Sequence, residues 1–214
     1  MRTVALIDYG SGNLPSADKA LRKAAAALTT PMMVVTTDEP DVIARADRLV
    51  LPGVGAFAAC RAALDARPGV VEAMTEATLQ RGAPFLGVCV GMQLLATRGL
   101  EFGDTAGLDW IPGEVRALQP RQRGVKVPHM GWNGLSGAFN TPLFDGLPPG
   151  VHMYFTHSFV LIPDQRQDVA AWTDHGGEFA AAVVRNNIAG VQFHPEKSQG
   201  AGARLLGNFL NWRP

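Results

Sequence analysis

The first half of this chain alternates short apolar runs with helix-patterned stretches, and that alternation constrains the fold more than any other feature. Strands are expected over residues 3–9, 32–37, 48–51 and 84–89, with helices over 13–28, just beyond a capping Asp38, over 68–80 and over 92–98. A strand, a helix and a second parallel strand join by a right-handed crossover, so the pattern implies a parallel sheet with helices on both faces. The second half is richer in turn residues, and strands dominate it over 113–118, 151–162, 169–174, 179–185 and 188–193. Asn186-Asn187 reads as the turn between the last two. An amphipathic helix over 202–212 follows. We expect one α/β domain over 1–214: a doubly wound, mainly parallel sheet with a smaller antiparallel portion added.

Hydrophobic residues make up 47% of the 214 residues and charged ones 18%, enough apolar material for a core of that size. Net charge is zero, so no basic field would attract nucleic acid or an anionic membrane, and neither is expected as a partner. The N-terminal apolar run is short and meets Asp8 quickly, which suits a first strand better than a signal peptide. No stretch approaches the ~20 apolar residues of a membrane span. A cytoplasmic location is expected. Of the two cysteines, Cys60 lies in an Ala-rich helical stretch and reads as a small apolar filler. Paired metal-ligand spacings are missing, and Gly10-Ser11-Gly12-Asn13 departs from a dinucleotide loop at Pro15. Neither a metal nor a cofactor is expected.

Cys89 is different. It sits in Gly87-Val88-Cys89-Val90-Gly91-Met92-Gln93, directly after the apolar run Pro84-Phe85-Leu86. Glycines two before and two after leave room for a sharp strand-to-helix turn that presents the side chain, as in a nucleophile elbow. The thiolate is the reactive form, and two aids are expected: the dipole of the helix beyond the turn, and His194 as proton acceptor. Glu196 lies two residues from His194, on the same side if the segment is extended, and would orient the ring. The Val90 N–H would donate to an oxyanion. The Gly53-Val54-Gly55 loop after the third strand would flank the Cys89 turn and supply a second donor. His129 and His157 are read as structural hydrogen-bonding groups.

These residues resemble a class I, triad-type glutamine amidotransferase, whose fold is a flavodoxin-like three-layer sandwich. Four further segments are similar to signatures of one branch, the glutaminase subunits of imidazole glycerol phosphate synthases in histidine biosynthesis. They are residues 7–14, Pro52-Gly53-Val54-Gly55-Ala56-Phe57, Pro128-His129-Met130-Gly131-Trp132-Asn133, and His194-Pro195-Glu196-Lys197-Ser198-Gln199. The resemblance runs from residue 4 to the C-terminus. It implies that Cys89 attacks the side-chain amide of L-glutamine to form a thioester, with His194 moving protons and Glu196 orienting it. Val54 and Val90 would be the oxyanion donors. Gly53, Gln93, Thr156, His157 and Ser158 would hold the glutamine. Ammonia would pass to a separate cyclase subunit, a barrel protein, across an interface involving Asn13, Met130, Trp132, Asn133 and Lys197. That heterodimeric partner would make imidazole glycerol phosphate and an aminoimidazole carboxamide ribotide.

Phe159 stands where the family commonly has tyrosine, which removes a hydroxyl near the pocket. Residues 58–61, Ala-Ala-Cys-Arg, lack a common glycine and acidic residue. Three other readings stay open: a different triad amidotransferase, a γ-glutamyl peptidase needing no partner, and a non-catalytic scaffold on the same fold.

Overall fold

The computed structural model describes residues 2–137 and 139–214. Its first half contains β1 (Thr3–Ile7), α1 (Leu14–Ala26), β2 (Met33–Thr37), α2 (Pro40–Arg45), β3 (Arg48–Leu51), α3 (Phe57–Asp65), α4 (Val70–Thr75), β4 (Phe85–Val88) and α5 (Val90–Gln93). Short strands β5 (Arg98–Gly99) and β6 (Thr105–Ala106) follow, then β7 (Gly113–Ala117) and β8 (His129–Gly134). The second half continues with β9 (His152–His157), β10 (Phe159–Pro163), β11 (Val169–Asp174), β12 (Glu178–Arg185), β13 (Ile188–Val191) and α6 (Gln199–Asn211).

The central sheet has seven strands in the order β11-β12-β13-β4-β3-β1-β2. From β13 to β2 all pairs are parallel, and β11, β12 and β13 pair antiparallel at one edge. The expected architecture, mainly parallel with an antiparallel addition, is therefore what forms. The order reverses beside β1, so crossovers to β2 and to β3 leave helices on opposite faces. Accordingly α1 packs with α6, while α2, α3 and α4 pack together. Two smaller sheets stand apart: β10-β7-β5-β6, and the antiparallel ribbon β8-β9. Strands β13, β4 and β3 are fully buried, so period-two alternation disappears from them. Phe57, Phe85, Phe155, Phe193 and Phe209 are sealed from solvent. Each contributes on the order of 1.5–3 kcal/mol through burial. Arg48, also buried, donates to the carbonyls of Phe209 at 3.3 Å and Trp212 at 2.6 Å, tying the end of α6 to the sheet.

Several local expectations change. The single strand expected over 151–162 is two strands in different sheets, because the chain breaks at Ser158, whose carbonyl accepts from the Leu118 N–H at 2.8 Å. Strand β8 was outside the expectation, since its Gly131 and Gly134 hide any alternation. Glu39, not Asp38, stands at the start of α2; the Asp38 carboxylate pairs with Arg67 at 3.3 Å instead. The helix expected over 68–80 widens into a π-helical turn at Glu76–Gln80. The helix expected over 92–98 is a single turn, Val90–Gln93.

Candidate active site

Cys89 follows β4 with φ 56° and ψ −112°, a conformation L-residues rarely occupy. Neighbouring strands over-determine it. The Cys89 N–H donates to Val191 O on β13 at 2.8 Å. On the other side, β3 pairs Leu51 with Gly87. A Cβ at Gly91 would lie 1.9 Å from Leu51 O, and one at Gly53 would lie 2.7 Å from Gly91 N. The elbow and the loop after β3 thus interlock through side chains that are missing. Because α5 is one turn long, the helix dipole adds little to the thiol; the aid expected from it falls away. As the first residue of α5, Val90 keeps an N–H with no intrahelical partner.

His194 and Glu196 sit beyond β13. An extended segment was expected, but Pro195–Lys197 form a 3-10 turn with His194 at its start. The pair meets nonetheless: His194 Nδ1 and Glu196 Oε1 are 2.9 Å apart, and both side chains are buried. The His194 N–H donates to Tyr154 O at 2.8 Å, and its carbonyl accepts from Ser198 Oγ at 2.7 Å. Its Nε2 is buried with no partner at hydrogen-bonding geometry among the described residues. Burial works against the charged ring, but Cys89 and Glu196 beside it outweigh that and raise its pKa to about 9.

A cavity of about 230 Å³ opens over the sulfur. It gathers Val54, Cys89, Val90, Gln93, Thr156, His157, Ser158 and His194 from four separate stretches of chain. Gly53 does not line it; it lies in a narrower space behind the loop, with Asn13, His194 and Glu196. Val54 is 44% exposed. Its carbonyl accepts from Ser11 Oγ at 2.9 Å and from Cys60 Sγ at 3.2 Å, so Cys60 is a polar contact as well as a filler. Tyr9, whose hydroxyl donates to Pro52 O at 2.7 Å, braces the same loop. Burial pushes that phenol well above its ordinary pKa.

Strand β8 divides the residues that the sequence groups together. Met130 and Trp132 point outward, 65% and 47% exposed, on the face of the ribbon that also carries Thr156 and Tyr154. Lys197 Nζ lies 5.6 Å from the centre of the Tyr154 ring. Asn133 points the other way, donating to Asp174 O at 2.7 Å. Beside it His129 and His157 are 3.0 Å apart, and burial lowers their pKa values to about 4 and about 3. Both stay neutral near pH 7, in keeping with the structural role expected of them.

Two contacts lie outside the sequence expectation. Glu101 lines the cavity, and its carboxylate accepts from the Phe57 N–H at 2.7 Å. It supplies the acidic group that the first turn of α3 lacks. Gln192, fully buried, places Nε2 3.7 Å from Cys89 Sγ. A polar residue at the end of an otherwise apolar strand was the signal for it. Among the described residues, no group of three or more His, Cys, Asp or Glu could hold a metal ion. No helix among them is long and apolar enough to cross a membrane.

Comparison with known proteins agrees with this fold. The model of the family "Glutamine amidotransferase class-I" matches residues 5–212. Imidazole glycerol phosphate synthase subunit HisH of Caulobacter vibrioides is 59% identical over 214 residues, covering 100% of both chains. The protein of the same name from Brucella abortus is 50% identical over 214 residues, covering 99% of each. Among solved structures, a glutamine amidotransferase superposes with TM-score 0.69 at 16% identity, covering 97% of each chain. One from Thermotoga maritima superposes with TM-score 0.58 at 15% identity, covering 91% of this chain and 76% of that one. Those two structures speak to the fold alone. The chain belongs to the class-I glutamine amidotransferase family and, within it, to the branch of the HisH subunits.

Proposed function

We propose that Cys89, His194 and Glu196 form the catalytic triad of a glutaminase, the ammonia-producing subunit of an imidazole glycerol phosphate synthase. The observation that carries the triad is local. A buried thiol is held at a strained turn, next to an imidazole whose other nitrogen is tied to a buried carboxylate at 2.9 Å. In the reaction the Cys89 thiolate attacks the side-chain carbonyl carbon of glutamine. The oxyanion that forms faces the N–H of Val90 and, across the cavity, that of Val54. Protonated His194 gives its proton to the leaving nitrogen, the C–N bond breaks, and ammonia departs from a γ-glutamyl thioester. Neutral His194 then takes a proton from water, which attacks the thioester. The thiolate leaves and glutamate is released. Glu196 keeps the ring oriented throughout.

Gln93, Thr156, His157 and Ser158 line the cavity and would hold the substrate. Gly53 contributes through the backbone, by letting the Val54 loop approach the elbow. The outward Met130 and Trp132, with Lys197 beside them, suit an apolar contact with a cyclase subunit. Asn13 would reach that contact from the space behind His194, and Asn133 would support the strand from within. The cyclase would consume the ammonia in making imidazole glycerol phosphate and the aminoimidazole carboxamide ribotide.

Glutamate release by the chain, alone and with a cyclase subunit carrying its nucleotide ligand, tests the reading. Strong stimulation by the liganded cyclase is expected, and in that complex Cys89→Ala should abolish turnover while leaving assembly intact. Turnover that survives Cys89→Ala would refute the triad. Vigorous turnover indifferent to the cyclase would keep the chemistry and remove the partner.

A further inference from the structure

Around Cys89 the polar side chains form a chain whose direction is dictated at one point. The Phe159 carbonyl can only accept. Gln93 Nε2 approaches it at 3.0 Å, and His157 Nδ1 also at 3.0 Å. Both nitrogens must therefore be donors. With its NH2 turned to Phe159, Gln93 also donates to Gln192 Oε1 at 3.0 Å. That contact faces the Gln192 oxygen away from the nucleophile. Its own Nε2 is left 3.7 Å from Cys89 Sγ. On the other branch, a proton on His157 Nδ1 makes its Nε2 an acceptor, which takes the proton of His129 Nδ1 at 3.0 Å. His129 Nε2 is then free to accept from Asn133 Nδ2 at 3.3 Å. Every tautomer and amide orientation agrees with the next, from Asn133 to the sulfur. Gln192 is fully buried and Gln93 nearly so, so neither amide can turn to water instead.

We propose that Gln192 is a positioning residue for the nucleophile: its side-chain N–H, aimed by Gln93 and Phe159, holds and stabilises the Cys89 thiolate in the attacking orientation. This rests on Cys89 being the nucleophile. A donor to sulfur favours the thiolate, and one fixed by a second amide costs no reorganisation when the charge forms. The titratable groups around the sulfur are His194 with Glu196 behind it, His157 and Glu101 across the cavity, and the Tyr9 phenol beneath the elbow. Among the described residues, Gln192 is the neutral side-chain donor to the sulfur.

The test compares iodoacetamide alkylation of the two thiols in the full chain, followed by mass spectrometry, for wild type and Gln192→Met. Cys60, buried with its polar contacts to Ser11 and Val54 and none to Gln192 among the described residues, reports general loosening. Loss of the donor should slow Cys89 about tenfold, the size of one charge-assisted hydrogen bond, and leave Cys60 unchanged. In the complex with the cyclase, kcat should fall by a similar factor with KM for glutamine little changed. Gln192→Glu, which turns an acceptor to the sulfur, should slow Cys89 further. Unchanged Cys89 alkylation overturns the proposal, and so does faster alkylation of both thiols, the mark of a packing role. If Gln192→Met fails to fold, the wild-type protein decides. The Gln192 side-chain amide resonance should move as the Cys89 thiol ionises, and should not move in Cys89→Ala; a resonance indifferent to the thiol overturns the proposal. Turnover that persists in Cys89→Ala defeats the nucleophile assignment instead, so the two failures are distinct.

Discussion

The cavity has two walls built by different physics. The wall made by β3, β4 and the elbow is backbone against backbone. Its parts sit where they do because Gly53 and Gly91 leave no atom in the way, and strand hydrogen bonds hold the rest. The wall made by the end of β9 and the start of β10, backed by β8, is held by side chain against side chain. There His129, His157 and Asn133 form a polar chain among Phe155, Phe179 and His175. The first wall is insensitive to pH and intolerant of volume. The second tolerates its own polarity only while both imidazoles stay neutral. Cys89 stands on the first wall, and Met130 and Trp132 stand on the exposed face of the second wall's ribbon, the face that carries Tyr154 and Thr156.

The volume claim is the one easiest to break. Gly91→Ala would put a Cβ 1.9 Å from Leu51 O, where neither backbone can retreat without unpairing β3 from β4. A loss of about 3 kcal/mol or more is expected in urea unfolding, above the usual cost of one extra methyl in a core. A change under about 1 kcal/mol would mean that the elbow is looser than its interlock implies.

The second wall should fail in acid. In the unfolded chain a histidine takes a proton near pH 6.5, whereas native His129 and His157 resist until about 4 and about 3. Above pH 6.5 both states hold these rings neutral and stability is unaffected. As pH falls from there, the unfolded state binds protons that the native state cannot, so stability drops by up to about 1.4 kcal/mol per pH unit for each ring. Urea midpoints between pH 7 and 5 measure this directly. His157→Gln keeps a donor and an acceptor without titrating, and should lower the slope by about one proton. A slope that His157→Gln leaves unchanged would place the acid sensitivity elsewhere.

The same contrast explains what was legible in the sequence. The first wall shows in the residue string because its logic is local: an apolar run, then glycine, cysteine, glycine in fixed spacing. The parallel sheet, the elbow and the neighbouring Val54 loop follow from it. The second wall is assembled from stretches far apart in the chain, and its strand β8 carries glycines that mask alternation. Without the register of β8 on β9, nothing tells Met130 and Trp132, which face out, from Asn133, which faces in. Glu101 was hidden for the same reason, since a residue between two short strands meets the start of α3 only in three dimensions. The one-turn α5 has a different cause. Its sequence continues apolar through Leu94, Leu95 and Ala96, but the carbonyls of Leu94, Leu95 and Ala96 are taken by N–H groups from residues 108–111, so tertiary pairing ends the helix.

Strain at the elbow yields the smallest effect and the sharpest sign. Cys89 sits at φ 56° and ψ −112°, which only glycine occupies without cost. The rest of the first wall imposes that conformation whatever residue is there. Cys89→Gly should therefore relieve the backbone, offset by the lost burial of a small side chain and by the greater freedom of glycine in the unfolded chain. Strain of this kind costs on the order of 1–3 kcal/mol, so a net gain of about 1 kcal/mol is expected over Cys89→Ala, which keeps the Cβ and its strain. Urea unfolding of the two variants side by side measures it. Equal midpoints would mean that the elbow relaxes once the thiol is gone. The constraint would then come from the cysteine and its partners rather than from the interlocked backbone, and the two walls would differ less than their contacts suggest.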